Sequence, residues 1–500
     1  MNLLAVRDGI CENQRQRMKV EMEKKPFFGR NDELASLAEL WEKATPSLVI
    51  CRGRRRIGKS TLFKKYAKES KARFIGLEGI APEPGMGNQD QLDAFMRQLS
   101  EQCGAPFSRV DNWHDAFRML DRELDGRRRK VVLLDEISWM GHYEPGFAGQ
   151  LKAAWDRRFH ERSNLVVAVC GSVSSWIADN ILNNTGFVGR ISRDIVLGEL
   201  PLRDAVKFWG TAAGRRSAQD LLDVFSVTGG VPRYLEEVRP SLPALENIRR
   251  MCFLPDGTLF RDFKRIFADV FGEKAVLKRR ILQTLANGTL GGAEIAKALG
   301  MERGGTITAE LSELELAGFV AKDSGLNPET LERTRNVLYR LSDNYTRFYL
   351  QYVEPRESEI EGRKFKFATL ESLPRWSTIL GLQFENLVVS NFDRMLDLLG
   401  LRGVEILSAA PWRKQGRKNG GGAQIDLLVQ TPKSVYVVEI KRRNRIGDEV
   451  IEEVRGKLER IRFKGGKSIR TALVHCGELA PTVRGSGFFD FLISGEDLLK

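Results

Sequence analysis

Three stretches of this chain are apolar at every position rather than at alternate ones: Leu48-Val49-Ile50-Cys51, Val131-Val132-Leu133-Leu134 and Leu165-Val166-Val167-Ala168-Val169-Cys170. Short continuous runs of this kind predict strands buried on both faces, as inside a parallel sheet. Parallel strands need crossover connections, and Thr61-Leu62-Phe63-Lys64-Lys65-Tyr66-Ala67 reads as a helix after the first run. Ile195-Val196-Leu197-Gly198-Glu199-Leu200, behind the polar turn Gly186-Phe187-Val188-Gly189-Arg190, predicts a last strand. Residues 26–250 are therefore expected to form an α/β unit, with helical punctuation at Thr228-Gly229-Gly230-Val231-Pro232.

Beyond residue 270 the pattern changes. Val276 to Leu285 has helical spacing, Ala293 to Leu299 is a short helix stopped by Gly300, and Thr306 to Gly318 predicts a third helix. Phe319-Val320-Ala321-Lys322 and Val337-Leu338-Tyr339-Arg340-Leu341 are expected to pair as a two-stranded wing. Three helices and a wing over residues 270–345 make a winged helix-turn-helix. Its third helix carries Glu310, Glu313 and Glu315, which are expected to face DNA phosphates unfavourably, whereas Arg303 at its start favours them. DNA contact and a spacer packed on the α/β unit both stay open. In residues 350–500, Gln424 to Val429 and Val435 to Lys441 alternate in polarity around the turn Gln430-Thr431-Pro432-Lys433-Ser434, which predicts a hairpin.

Length and charge bound the rest. Five hundred residues suggest roughly three domains. No run reaches the length of a membrane span, and residues 1–25, an unexplained tail, lack the form of a secretory signal. Six scattered cysteines without a C-x-x-C pair read as reduced thiols in a cytoplasmic protein. The formal net charge of +13 favours a polyanionic partner, nucleic acid first.

The chemistry begins at Gly53-Arg54-Arg55-Arg56-Ile57-Gly58-Lys59-Ser60, a complete G-x-x-x-x-G-K-S phosphate loop between a strand and a helix. Gly53 and Gly58 let successive N–H groups turn inward to cradle phosphate oxygens. Residues 53–61, Thr61 included, are the expected contacts for ATP. Lys59 supplies charge at the β- and γ-phosphates and Ser60 a hydroxyl for Mg²⁺. Asp135 and Glu136 end the second apolar run, where sites collect in parallel sheets. Asp135 is expected to hold Mg²⁺ through water, and Glu136 to polarise the attacking water. Ser172, after the third run, is either a contact to the γ-phosphate or the attacking water, or a small residue at a turn.

In the hairpin, pairing centred near Pro432 and Lys433 sets Asp426 opposite Glu439, with Lys441 on the same face. Two carboxylates on one face repel unless a cation such as Mg²⁺ or Mn²⁺ lies between them, and Lys441 is suited to stabilise developing phosphorane charge. From Pro411 to Arg470 there are 16 Lys or Arg against 7 Asp or Glu. Arg413, Lys414, Arg417 and Lys418 lead into Asn419-Gly420-Gly421-Gly422, a basic loop placed for a phosphate backbone.

The order Phe28-Gly29-Arg30-Asn31-Asp32-Glu33-Leu34, the phosphate loop, Leu-Leu-Asp-Glu, Gly171-Ser172, Gly189-Arg190 and Gly229-Gly230-Val231-Pro232 resembles the prokaryotic ATPase family described mainly from archaea, in the AAA+ superclass near the origin-recognition ATPases. The resemblance implies a P-loop NTPase core with helical lid, a winged helix and a restriction-endonuclease-like α/β C-terminal domain. It implies that Arg190, with Arg193 as its rival, is an arginine finger acting on a neighbouring subunit of a homo-oligomer. It also implies that the Gly229–Pro232 turn lies near the base. Tyr339 to Tyr349 resembles the lead-in to the C-terminal domain of unknown function often fused to this family. There, Asp426, Glu439 and Lys441 resemble the PD-(D/E)xK nuclease pattern, although Ile425 stands where Pro is usual. That likeness adds Glu385 as a metal-supporting residue on a preceding helix.

Overall fold

The computed structural model describes residues 26–500 except 105, 173, 272–274, 303, 335–336, 367–368 and 415–421. Expectations about the tail 1–25, Arg303, Arg417, Lys418 and Asn419 to Gly421 lie outside the described residues. Among the described residues no helix is long and apolar enough to cross a membrane.

Five strands, β1 (Ser47–Arg52), β2 (Arg73–Glu78), β3 (Lys130–Asp135), β4 (Leu165–Gly171) and β5 (Ile191–Val196), form one sheet in the order β2-β3-β4-β1-β5. Every pairing is parallel. The continuous apolar runs are explained by two cores, one on each face. Val49, Cys51, Val131, Leu133, Val166 and Ala168 enter the first. Leu48, Ile50, Val132, Leu134, Val167 and Val169 enter the second. Alternation by two on a sheet covered on both sides makes every position apolar.

Helices Ala218–Thr228, Pro232–Leu235, Ala244–Cys252 and Thr258–Phe271 follow. Then come three helices, Ala275–Leu285, Gly292–Leu299 and Gly305–Leu316, beside a small antiparallel sheet of β6 (Leu290–Gly291), β7 (Val320–Asp323) and β8 (Leu338–Leu341). The sheet has three strands where two were expected, because Leu290 pairs with Tyr339 on the far side of β8. The third helix also departs from expectation. Glu310 and Glu313 turn inward to the buried Lys278, with Glu313 at 2.9 Å. A buried ammonium requires such partners, so two of the three glutamates are paired with a lysine of their own chain.

The C-terminal sheet is mixed. Its strands β9 (Ser408–Lys414), β10 (Ala423–Gln430), β11 (Ser434–Ile446), β12 (Ser468–Leu479) and β13 (Phe491–Ser494) run in the order β13-β12-β11-β10-β9. β9, β10 and β11 are antiparallel neighbours, and β11, β12 and β13 are parallel. Helix Trp376–Ser390 packs on the face of Val438 and Ile440. Ile425, Val435 and Val437 belong to a separate core on the other face. The core under the first sheet is continuous with the middle region and with this one, running from Val49 through Leu311 to Val438.

Candidate functional site

The phosphate loop leaves β1 and enters helix Lys59–Glu69. Gly53 and Gly58 adopt positive φ, and a β-carbon at Gly53 would collide with the Leu197 carbonyl. Lys59 Nζ donates to the carbonyls of Gly53 at 2.8 Å and Arg54 at 3.2 Å. Ser60 donates its hydroxyl proton to Asp135. These groups open on a cavity of about 550 Å³ that Arg55, Arg56, Ile57, Gly58, Lys59, Ser60, Thr61, Asp135 and Glu136 help to line. The hydroxyl and the carboxylate, both hard oxygen donors on the cavity floor, suit the Mg²⁺ of a bound nucleotide. The parallel sheet makes this possible: Ser60 and Asp135 start from strands two apart, with β4 between them.

Glu136 is a non-glycine residue in the left-handed region, at φ 46°. Such a backbone costs about 1–3 kcal/mol and needs support from its surroundings. Ser172 provides some of it. Its hydroxyl donates to Glu136 Oε2 at 2.8 Å, and Arg55 Nε lies 3.9 Å from Oε1. Ser172 therefore orients the Glu136 carboxylate. Glu78 at the end of β2 lines the cavity, and sequence reading missed it. Burial, then Asp135 and Glu136, raise its carboxyl above the usual range. The signal was the strand Arg73–Glu78, whose carboxyl end lies level with Asp135. Phe27, Phe28, Phe208, Pro232 and Arg233 close the rest of the cavity, and Phe28 meets Phe208 edge-on at 4.9 Å.

A deep cavity ringed by a strand–loop–helix, a Mg²⁺-suited Ser–Asp pair and an oriented glutamate matches what the sequence comparison finds. Residues 27–238 match the model of an ATPase domain found predominantly in Archaea. This part of the chain is similar to that ATPase domain. An uncharacterised protein of Methanocaldococcus jannaschii is 23% identical over 421 residues, 83% of this chain and 87% of that one. Among solved structures, the Walker-type ATPase of Pyrococcus abyssi shares 16% identity at a TM-score of 0.45, covering 65% of this chain and 96% of its own. The ORC2 protein of Aeropyrum pernix shares 15% at 0.39, covering 67% and 94%. Scores below 0.5 mark a partial likeness only.

Three arginines that the sequence singled out make ion pairs within the chain. Arg54, expected at the nucleotide, points away from the cavity to Glu199 and Asp343. Arg190 makes a two-pronged pair with Asp156 of its own chain, at 2.6 and 3.0 Å. Arg193 is held by Glu39 and Ser36. Neither Arg190 nor Arg193 lines the cavity.

In the C-terminal sheet the hairpin register pairs Leu427 with Val438 and Gln430 with Val435. One step further brings Asp426 level with Glu439. Asp426 also sits at a bulge against β9, between the pairs Ile425–Trp412 and Leu428–Ala410. Bulges re-aim side chains, and Asp426 Oδ2 accepts from the Ile440 N–H at 2.9 Å. Burial, then Glu439 and Glu385, raise the Asp426 carboxyl well above the usual range.

Glu439 is fully buried and bound by two lysines. Lys441 lies 2.8 Å from Oε1, and Lys457 reaches Oε1 at 2.7 Å and Oε2 at 2.6 Å. Lys441 also pairs with Glu453 at 2.7 Å. Burial works against the Lys441 charge, yet Glu439 and Glu453 raise its pKa. Glu453 and Lys457, one turn apart on helix Glu449–Arg460, were missed by sequence reading; their i, i+4 spacing was the available signal. Glu385, on helix Trp376–Ser390, lines a small cavity together with Asp426. Among the described residues no three His, Cys, Asp or Glu side chains are grouped to hold a metal ion. Of the expected trio, Glu385 and Asp426 share a cavity and Glu439 is held by its lysines, and the oxygen donors of all three are of the kind Mg²⁺ or Mn²⁺ takes.

Proposed function

We propose that this protein hydrolyses ATP in order to act on DNA, with residues 270–345 as a winged helix and residues 350–500 as a nuclease-like module. In the ATPase domain, Lys59 neutralises charge on the transferred phosphoryl group, Ser60 and Asp135 hold its Mg²⁺, and Glu136 orients water with Ser172 steadying it. In this reading Arg190 serves a neighbouring copy, since it does not reach its own cavity.

The observation that carries the nuclease-like part is the hairpin register, which sets Asp426 level with Glu439 and Lys441 two residues on. The test is cleavage of labelled linear, single-stranded and branched DNA with Mg²⁺ or Mn²⁺, with and without ATP. Metal-dependent cleavage that is lost in Lys441→Ala supports the reading, and no cleavage of any substrate by an ATP-hydrolysing sample sinks it.

A second reading has its own support. With both Glu439 oxygens taken by lysines, the C-terminal module is a binding platform. The protein is then a nucleotide-controlled switch that holds DNA or a protein without cutting. DNA binding that changes between ATP and ADP, without cleavage, selects it.

A further inference from the structure

The phosphate loop is fastened to a residue almost three hundred positions along the chain. Arg54 follows Gly53, and its side chain is only 11% exposed. Its Nη1 lies 2.8 Å from Asp343 Oδ1, and its Nη2 donates to Oδ2 at 3.0 Å. Nη1 also donates to Glu199 at 3.2 Å. The Asp343 side chain is 1% exposed. An ion pair this enclosed holds its geometry, because neither charge has water to turn to. The carbonyl of the same Arg54 accepts from Lys59 Nζ. The peptide that Asp343 anchors is therefore one of the two that orient the phosphate-binding lysine.

Asp343 also acts in the other direction. Its Oδ1 accepts from the Tyr345 N–H at 3.2 Å and its Oδ2 from the Thr346 hydroxyl at 2.5 Å, so it caps the turn of helix Asn344–Phe348. That turn is locked to helix Trp376–Ser390. Gln383 Nε2 donates to the Asn344 carbonyl at 2.6 Å, Asn386 Nδ2 to Asn344 Oδ1 at 3.0 Å, and Arg347 to Gln383 Oε1 at 2.7 Å. Gln383 and Asn386 are buried, and Glu385 lies between them on the same helix.

We infer that Asp343 is a positioning residue for ATP hydrolysis supplied from outside the ATPase domain, and that the Arg54–Asp343 pair couples the nucleotide cavity to helix Trp376–Ser390. This rests on the ATPase activity of the loop and is independent of whether the C-terminal module cleaves DNA. A contiguous chain of buried, directional contacts with a charged pair at its head transmits displacement where a fluid apolar contact would absorb it.

The test uses the full chain. Hydrogen exchange at the amides of residues 376–390 is measured with and without a non-hydrolysable ATP analogue, and steady-state hydrolysis is measured on the same samples. The analogue is expected to slow exchange there in the native protein. In Asp343→Asn the analogue still binds, kcat falls by roughly tenfold or more while KM moves by less than about threefold, and the exchange response disappears. The reciprocal pair Arg54→Asp with Asp343→Arg recovers part of both. Glu199→Gln removes Arg54's other partner and keeps the exchange response. Native exchange that ignores the analogue overturns the coupling, and native kcat in Asp343→Asn overturns the positioning role. Should the Asn protein fail to fold, Arg54→Lys is read by the same criteria. Lysine keeps the charge and loses the two-pronged contact, so an unchanged kcat and an unchanged response overturn the inference equally.

Discussion

The two five-stranded sheets of this molecule treat their carboxylates in opposite ways. In the parallel sheet, Asp135 and Glu136 stand at the carboxyl end of β3, beside Lys59 and Ser60, on a cavity of about 550 Å³. In the mixed sheet, Glu439 stands in mid-strand with no exposure, and Lys441 and Lys457 close on it. A strand end hands over to a loop, so its side chains can face a ligand. A mid-strand carboxylate meets only what the fold packs against it, and a buried charge must find a partner there. The lesson is that the setting of a carboxylate, strand end or mid-strand, decides whether the fold itself supplies its partner.

The comparison breaks most visibly at the first sheet. Lys59→Ala is expected to lower ATP hydrolysis by about 100- to 1000-fold, measured by phosphate release, because among the described residues no second lysine lines the cavity. Glu136→Gln should cost about 100-fold while leaving nucleotide binding near native, which separates orientation of water from affinity.

At the second sheet the large effect is on stability. Replacing both Lys441 and Lys457 by alanine leaves Glu439 buried and unpaired, which costs about 3–5 kcal/mol in urea melting of the C-terminal module. Adding Glu439→Gln should recover most of that loss. A double-lysine variant that melts like the native protein would show that Glu439 does not depend on its clamp.

Asp426 sharpens the contrast through pH. Burial, Glu439 and Glu385 raise its carboxyl in the folded state, so the folded chain holds a proton that the unfolded chain releases. The stabilisation is complete below the ordinary value near 3.8 and is lost as pH rises toward the raised one. Asp426→Asn escapes that loss. Its urea midpoint relative to native is expected to climb as pH rises above the ordinary carboxyl value, and a constant difference contradicts the assignment.

The smallest effect belongs to Ser172→Ala. One hydroxyl bond to Glu136 is worth about 1 kcal/mol, or roughly a fivefold fall in kcat, with KM unchanged.

Much of this was legible in the sequence. The parallel sheet followed from apolar runs that only burial on both faces explains. The phosphate loop, Asp135 and Glu136 followed from motif and position. The hairpin register followed from alternation around Pro432 and Lys433, because a two-residue period allows one pairing that keeps the aliphatic residues in the core. Glu78 was missed because a lone glutamate after a short strand has no motif. Lys457 was missed because its partner lies 18 residues away, across a helix–sheet contact.

The sequence by itself determined the local frame: its patterns specify strands, turns and loops, and these place a side chain at a strand end or on a hairpin face. Only the tertiary structure decided what each charge meets. Arg54 turned from the nucleotide to Asp343, Arg190 to Asp156, Glu310 and Glu313 to Lys278, and Glu439 to two lysines. The reason is physical: electrostatic partnership depends on distance and burial through space, and neither is written in the spacing of residues along the chain.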